Sequence, residues 1–127
     1  MQGNKEPILL VEDEALIRMM LVGELEDAGF VVHEAGSGDE AVTLLEGGLE
    51  VALVVTDVRM PGRLDGLGLA AWLADQRPGL PVVIASGYAT RPETEWLNPA
   101  VAAVLPKPYD PADVVGLAVG LLVKHPA

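Results

Sequence analysis

Val54-Val55-Thr56-Asp57-Val58-Arg59-Met60-Pro61-Gly62-Arg63-Leu64-Asp65-Gly66, VVTDVRMPGRLDG, begins as an apolar run and ends in turn residues, with a carboxylate between the two. An apolar stretch of this length, bounded by Pro and Gly, reads as a buried strand. Asp57 follows Leu53, Val54, Val55 and Thr56 directly, so it emerges partly desolvated at the end of the run. A solvated surface role explains such a carboxylate poorly.

Outward from that strand the same punctuation recurs. Runs at Ile8 to Val11, Val31 to Ala35, Val51 to Thr56, Leu80 to Ala85 and Val101 to Leu105 predict five strands. In Glu14 to Ala28, Ile17, Leu21, Leu25 and Ala28 recur at helical spacing, and Gly29 supplies the stop. Asp39 to Glu46 carries Ala41, Leu44 and Leu45 on one side and ends at Gly47-Gly48, while Leu67 to Gln76 ends at Pro78-Gly79. Thr90 to Asn98 is a poorer helix, short and holding Pro92, although Thr90-x-x-Glu93 has the form of a capping box. The last helix is expected from about Pro111 to Lys124, with Asp110 as N-cap and Lys124 near the negative end of the dipole. Strand and helix thus alternate along one domain, residues 1–127, and such repetition predicts a parallel sheet with helices on both faces.

Composition narrows the function. Half of the 127 residues are hydrophobic (50%), enough for a core without staples. With 19 acidic against 8 basic residues the net charge is -11, which repels nucleic acid and anionic lipid. Cysteine is absent, so thiolate metal sites and disulfides are excluded. The start, MQGNKEPILLVEDE, has too short an apolar run for a signal peptide, and Val114 to Val123 is about half a membrane span. A cytoplasmic protein is expected, with output through protein contacts.

In an open parallel sheet, ligands collect beyond the carboxyl ends of the strands. The residues there are Glu12-Asp13-Glu14, Asp57, Ser86-Gly87 and Lys107-Pro108. Any one of the three acids reads as easily as a helix cap. Adjacent first and third strands, however, would set Asp57 beside Asp13, and clustered carboxylates take up protons or recruit a cation. Mg2+ suits them, because it takes oxygen ligands and commonly pairs one or two carboxylates with a phosphate oxygen. Lys107 and Ser86 then offer the charge and hydroxyl that hold phosphoryl oxygens, and Asp57 is the candidate nucleophile for an acyl phosphate.

This pattern resembles the receiver domain of bacterial two-component response regulators over nearly the whole chain, through LLVEDE, EAGSGDEAVTLL, TDVRMPG followed by DG, ASG and LPKPY. The resemblance implies a flavodoxin-like (βα)5 doubly wound parallel sheet of strand order 2-1-3-4-5. It implies Asp57 as phosphoacceptor, Asp13 and Asp57 as direct Mg2+ ligands, Glu12 acting through water and the Arg59 backbone carbonyl as a further ligand. Ser86 stands at the family's Thr/Ser switch position and Lys107 at its lysine position, while Met60-Pro61 and Pro108 shape the loops. The implied partner is a histidine kinase or histidine phosphotransfer protein. The implied chemistry is a switch that catalyses only its own phosphorylation and dephosphorylation, not a conventional enzyme.

Two departures stand out. Val104 occupies the place where many receivers carry a switch Tyr or Phe, and the aromatic is instead Tyr88. The segment Ile84-Ala85-Ser86-Gly87-Tyr88 resembles the Phe-Ala-Thr-Gly-Tyr signature of an alphaproteobacterial group of often single-domain receivers. Pro61 to Gly66 is one residue longer than the commonest Met-Pro-x-x-Asp-Gly loop. Arg59 and Tyr88, two positions beyond Asp57 and Ser86, are placed to screen an acyl phosphate from water.

The competing readings are a receiver cut from a hybrid histidine kinase, a scaffold that is never phosphorylated, and a Mg2+-dependent phosphatase with an aspartyl nucleophile. The phosphatase wants a second acid just after the nucleophile, where Val58-Arg59 offers none. A flavin carrier on the same fold would want a Gly/Ser/Thr-rich loop where this chain is acidic. On the last helix, Val115, Val119 and Leu122 fall away from the Val114, Leu117, Ala118 and Leu121 stripe. This predicts a partner or homodimer surface, with Gly116 and Gly120 either admitting a close neighbour or packing on the sheet.

Overall fold

The register of the central strands decides where the carboxylates meet. A computed structural model describes residues 6–58, 62, 64–86 and 100–122, with Ser86 by its backbone alone. In chain order the elements are β1 Pro7–Val11, α1 Ala15–Asp27, β2 Val31–Ala35, α2 Gly38–Glu46, β3 Leu53–Asp57, α3 Gly66–Gln76, β4 Val82–Ser86, β5 Val101–Pro106 and α4 Pro111–Leu122. The five strands are parallel, as the strand–helix alternation predicted, and lie in the order β2-β1-β3-β4-β5, the flavodoxin-like arrangement that the resemblance implied. The expected helix at Thr90 to Asn98 lies outside the described residues, as does Lys124 at the expected end of α4.

Strand alternation feeds two cores. Leu9, Val11, Val54, Val82 and Ile84 join Ala41, Leu45, Leu69, Ala70 and Leu73 on the face covered by α2 and α3. Ile8, Leu10, Leu53, Val55 and Val83 join Leu21, Leu25, Phe30, Val114 and Ala118 on the face covered by α1 and α4. Each fully buried Val or Leu contributes about 2 kcal/mol of transfer free energy, so β3, buried along all five residues, anchors both layers.

The helices end as their residues dictate. Gly29 takes φ 101°, and the Gly29 and Phe30 amides return to the Glu26 and Leu25 carbonyls, a Schellman stop in which Phe30 packs with Leu25. Ser37 accepts from the Glu40 amide at 3.0 Å while the Glu40 carboxylate accepts from the Gly36 amide at 2.7 Å, which starts α2 at Gly38, one residue before the predicted Asp39. Asp65 caps α3 through the Gly68 amide at 2.8 Å. At α4 the capping bond runs from the Asp110 amide to the Asp113 carboxylate, at 3.1 Å.

The predicted strand edges differ from the observed ones by at most two residues, most at the starts of β3 and β4. β3 begins at Leu53 rather than Val51 and includes Asp57, because the Val58 amide still bonds the Ala85 carbonyl at 3.1 Å. β4 begins at Val82 rather than Leu80, since Pro81 has no amide proton to give the ladder. On α4, a methyl group added to Gly116 or Gly120 would meet nothing within 4 Å, and both glycines face outward, so they do not pack on the sheet. Of the outer residues Val115, Val119 and Leu122, Val119 is exposed and the other two stay half-buried against the core.

Candidate functional site

Parallel pairing aligns the strand ends. Val11 is level with Thr56, Asp57 with Ala85, and Ser86 with Pro106. Glu12 therefore emerges beside Asp57 from the neighbouring strand, and Lys107 emerges two strands away on the other side. The lysine reaches past β4, and its Nζ donates to Asp57 Oδ2 at 2.6 Å.

Oxygens of Glu12, Asp13 and Asp57 all lie within 4.8 Å of one another. Glu12 is 2% exposed and Asp57 8%, whereas Asp13 is exposed to solvent. Two of the three acids are thus removed from water and the third stands at the mouth. Glu12 belongs to this cluster and also serves the helix start, its Oε2 accepting from the Glu14 amide at 3.0 Å just before α1.

Burial is the main cause of a Glu12 carboxyl pushed up to about 7, with the Asp57 and Asp13 charges adding to it and the Glu14 amide and Lys107 opposing. Burial alone would lower Lys107, but the hydrogen bond and charge of Asp57, with the Glu12 charge, hold its ammonium above the ordinary lysine value. Half-buried Tyr109 packs into the same wall, its hydroxyl pushed up by burial and then by Glu12. The sequence pattern included Tyr109 in LPKPY without giving it a role.

The site's chemistry follows from these groups. Three carboxylates this close are a hard-oxygen donor set, and their mutual repulsion favours a divalent cation over three separate charges. Lys107 pairs with Asp57 from the β5 side, while Asp13 is exposed. Breaking a buried pair of this kind by removing one partner leaves an uncompensated charge, the costly case.

A close approach was missed from sequence. A methyl group on Gly66 would lie 2.8 Å from the Val58 Cα and collide with the Asp57 carbonyl, so the start of α3 packs directly on the backbone of the nucleophile candidate. The Gly66 amide bonds the Val58 carbonyl at 2.7 Å. The Asp-Gly pair closing the opening stretch carried this signal.

Leu64, shortly before α3, also finds a seat. The Leu64 amide donates to Asp39 Oδ1 at 2.9 Å, and a side chain at Gly38 would strike the Leu64 carbonyl. Leu64 thus sits against the first turn of α2. Val104 sits half-buried on β5, level with Ile84. Arg59, Tyr88 and the Ser86 side chain lie outside the described residues.

Comparison with known proteins gives the class. A family model described as the response regulator receiver domain matches residues 8–118, and the chain belongs to that family. Phosphorylation of an aspartate and Mg2+ binding are general to it. The chain is 44% identical over 105 residues to the sensor kinase CckA of Brucella abortus, covering 80% of this chain and 11% of that protein. It is 41% identical over 110 residues to the transcriptional regulatory protein PdtaR of Mycobacterium tuberculosis, covering 85% of this chain and 52% of the other. Among solved structures, the response regulator TrrA of Thermotoga maritima in complex with Mg(2+)-BeF superposes with a TM-score of 0.81 at 27% identity, covering 92% of this chain and 99% of that one. The chain therefore spans about a tenth to a half of the curated relatives' length. Among the described residues, no helix is long and apolar enough to cross a membrane.

Proposed function

We propose that this chain is a stand-alone receiver that takes a phosphoryl group on Asp57, with Mg2+ held by Asp13 and Asp57 and supported by Glu12 and the Arg59 carbonyl. The observation that carries the reading is Asp57 itself, buried, flanked by two further carboxylates and bonded to Lys107. A bound cation would supply charge neutralisation for the carboxylate and phosphoryl oxygens; Asp57 would form the new O–P bond as the bond to the donor's leaving group breaks, Lys107 would turn from Asp57 to the phosphoryl oxygens, and Ser86 with Tyr88 would serve as the switch. Incubation with acetyl phosphate and Mg2+ tests this: a single phosphoryl group should appear and should vanish with a chelator. An unlabelled chain would leave the scaffold reading.

The donor fits a surface beside the site. Leu16 is 79% exposed, Met19 65% and Met20 51%, an apolar stripe on α1. It borders a groove of about 400 Å³ lined by Ile17, Met20, Lys107, Pro108, Tyr109 and Pro111. Apolar side chains so placed, with Lys107 between them and Asp57, suit a histidine kinase or histidine phosphotransfer protein that brings a phosphohistidine to the mouth. Leu16→Glu is expected to slow transfer from a protein donor by about tenfold while leaving acetyl phosphate labelling unchanged. Equal slowing of both would remove the stripe from donor recognition. A homodimer through α4 is the weaker partner proposal, resting on exposed Gly116, Val119 and Gly120, and sedimentation at high concentration tests it.

Glu12 makes the site pH-dependent. Its carboxyl titrates near 7, and the cation site needs it ionised, so Mg2+ affinity should rise about tenfold between about pH 6 and pH 8 and then level off. A carboxyl raised on folding stabilises the fold fully below its ordinary value of 4.5 and loses that contribution as pH climbs through about 7. The metal-free melting temperature should therefore fall over this range, and Mg2+ should raise it more at the alkaline end. Calorimetry on the parent and on Glu12→Gln, which should lose most of the pH dependence, checks both.

A further inference from the structure

Outside the carboxylates and the lysine, one side chain is fastened to the site's backbone. Arg18, near the start of α1, donates through Nη1 to the Glu12 carbonyl at 2.6 Å and through Nε to Glu34 Oε1 on β2 at 3.1 Å. The same Glu12 residue donates its amide to the Ala35 carbonyl of β2 at 3.0 Å and binds the Glu14 amide with its carboxylate. Its peptide groups are thus gripped on both sides.

The consequence lies one residue on. The Glu12 carbonyl and the Asp13 amide belong to one rigid plane. A guanidinium that fixes the carbonyl therefore fixes the direction in which Asp13 leaves the sheet. Asp13 needs this hold, because it is exposed and the described contacts give its side chain no bond of its own. Arg18 is in turn oriented by Glu34, so the fork is preset before any ligand arrives.

We propose that Arg18 is a positioning residue for the divalent-cation site, holding the Glu12–Asp13 peptide against β2 so that Asp13 faces Asp57. The proposal rests on the Mg2+ reading above and adds to it a residue that touches neither cation nor phosphoryl group. It makes a prediction opposite in sign to simple electrostatics. Arg18 is a positive charge near a cation site, so deleting it should tighten Mg2+ binding if charge alone matters. Loss of positioning weakens it instead.

The test is calorimetric titration of Mg2+ alone, with no phosphoryl donor, into the parent, Arg18→Met and Arg18→Lys. Arg18→Met keeps most of the stem and removes both donors, and should bind Mg2+ about tenfold more weakly. Arg18→Lys keeps the charge but not the fork, and should fall between the two, which also reads the effect at constant charge should Arg18→Met fold poorly. Parent-like or tighter binding in the variants overturns the role of Arg18 and leaves the Mg2+ reading standing. Absence of Mg2+ binding in the parent overturns both.

Discussion

Asp57→Asn protein should remain unlabelled by acetyl phosphate in Mg2+, a loss of at least about a thousandfold against the parent. The substitution is nearly isosteric and its amide oxygen still accepts from Lys107, which stands 2.6 Å from Oδ2 in the parent, so the fold is retained and the chemistry alone is lost. An amide is a poor nucleophile and a neutral one, and it would offer a cation a weaker ligand. A second readout separates this from misfolding. The Asp57 charge is among the causes that raise Glu12, after burial, so the Glu12 midpoint near 7 should fall in the variant while staying above the ordinary 4.5. Carboxyl NMR of Glu12 measures it. Labelling of a folded Asp57→Asn chain to the parent's extent would move the acceptor elsewhere.

Gly66→Ala is the second large effect, and it falls on stability. The added methyl would meet the Asp57 carbonyl and stand 2.8 Å from the Val58 Cα, both of them backbone atoms at the end of a strand buried on both faces. Neither can swing aside as a side chain would, so the start of α3 must back away and lengthen the 2.7 Å bond from Gly66 to Val58. The cost is expected at about 3 kcal/mol, at the upper end for overpacking. Denaturant midpoints check it, with Gly23→Ala as the contrast. Gly23 lies in α1 with nothing within 4 Å, so the same substitution there should stabilise by up to about 1 kcal/mol. An equal and small effect at both sites would show that α3 does not press on the acceptor strand.

What sequence made legible here was whatever repeats or punctuates. Apolar runs and Gly or Pro stops located the five described strands and four described helices to within a few residues, because burial and backbone conformation are local demands. The acidic cluster was legible too, since the ends of parallel strands converge whatever the loops do. Arg18 was not, because its partners are a backbone carbonyl and a glutamate on another strand, and no spacing rule marks such a contact. Nor was the Asp39 seat of Leu64, which joins residues 25 positions apart. The two glycines of α4 read ambiguously for a similar reason: a small residue permits contact without requiring it, and only the placement of α4 showed them facing outward.

The bond from Lys107 to Asp57 crosses β4 without touching it in the ladder. Edge strand β5 pairs with β4 alone, and Lys107, the residue that follows it, carries the one described ion pair from this edge to the middle of the sheet. Anything that turns the ammonium away from Asp57 releases a tether between the rim and the centre. The amides of β5 and the first turn of α4 are then expected to exchange faster than those of β1 or β3, which hydrogen-exchange rates measured with and without Mg2+ and acetyl phosphate would read.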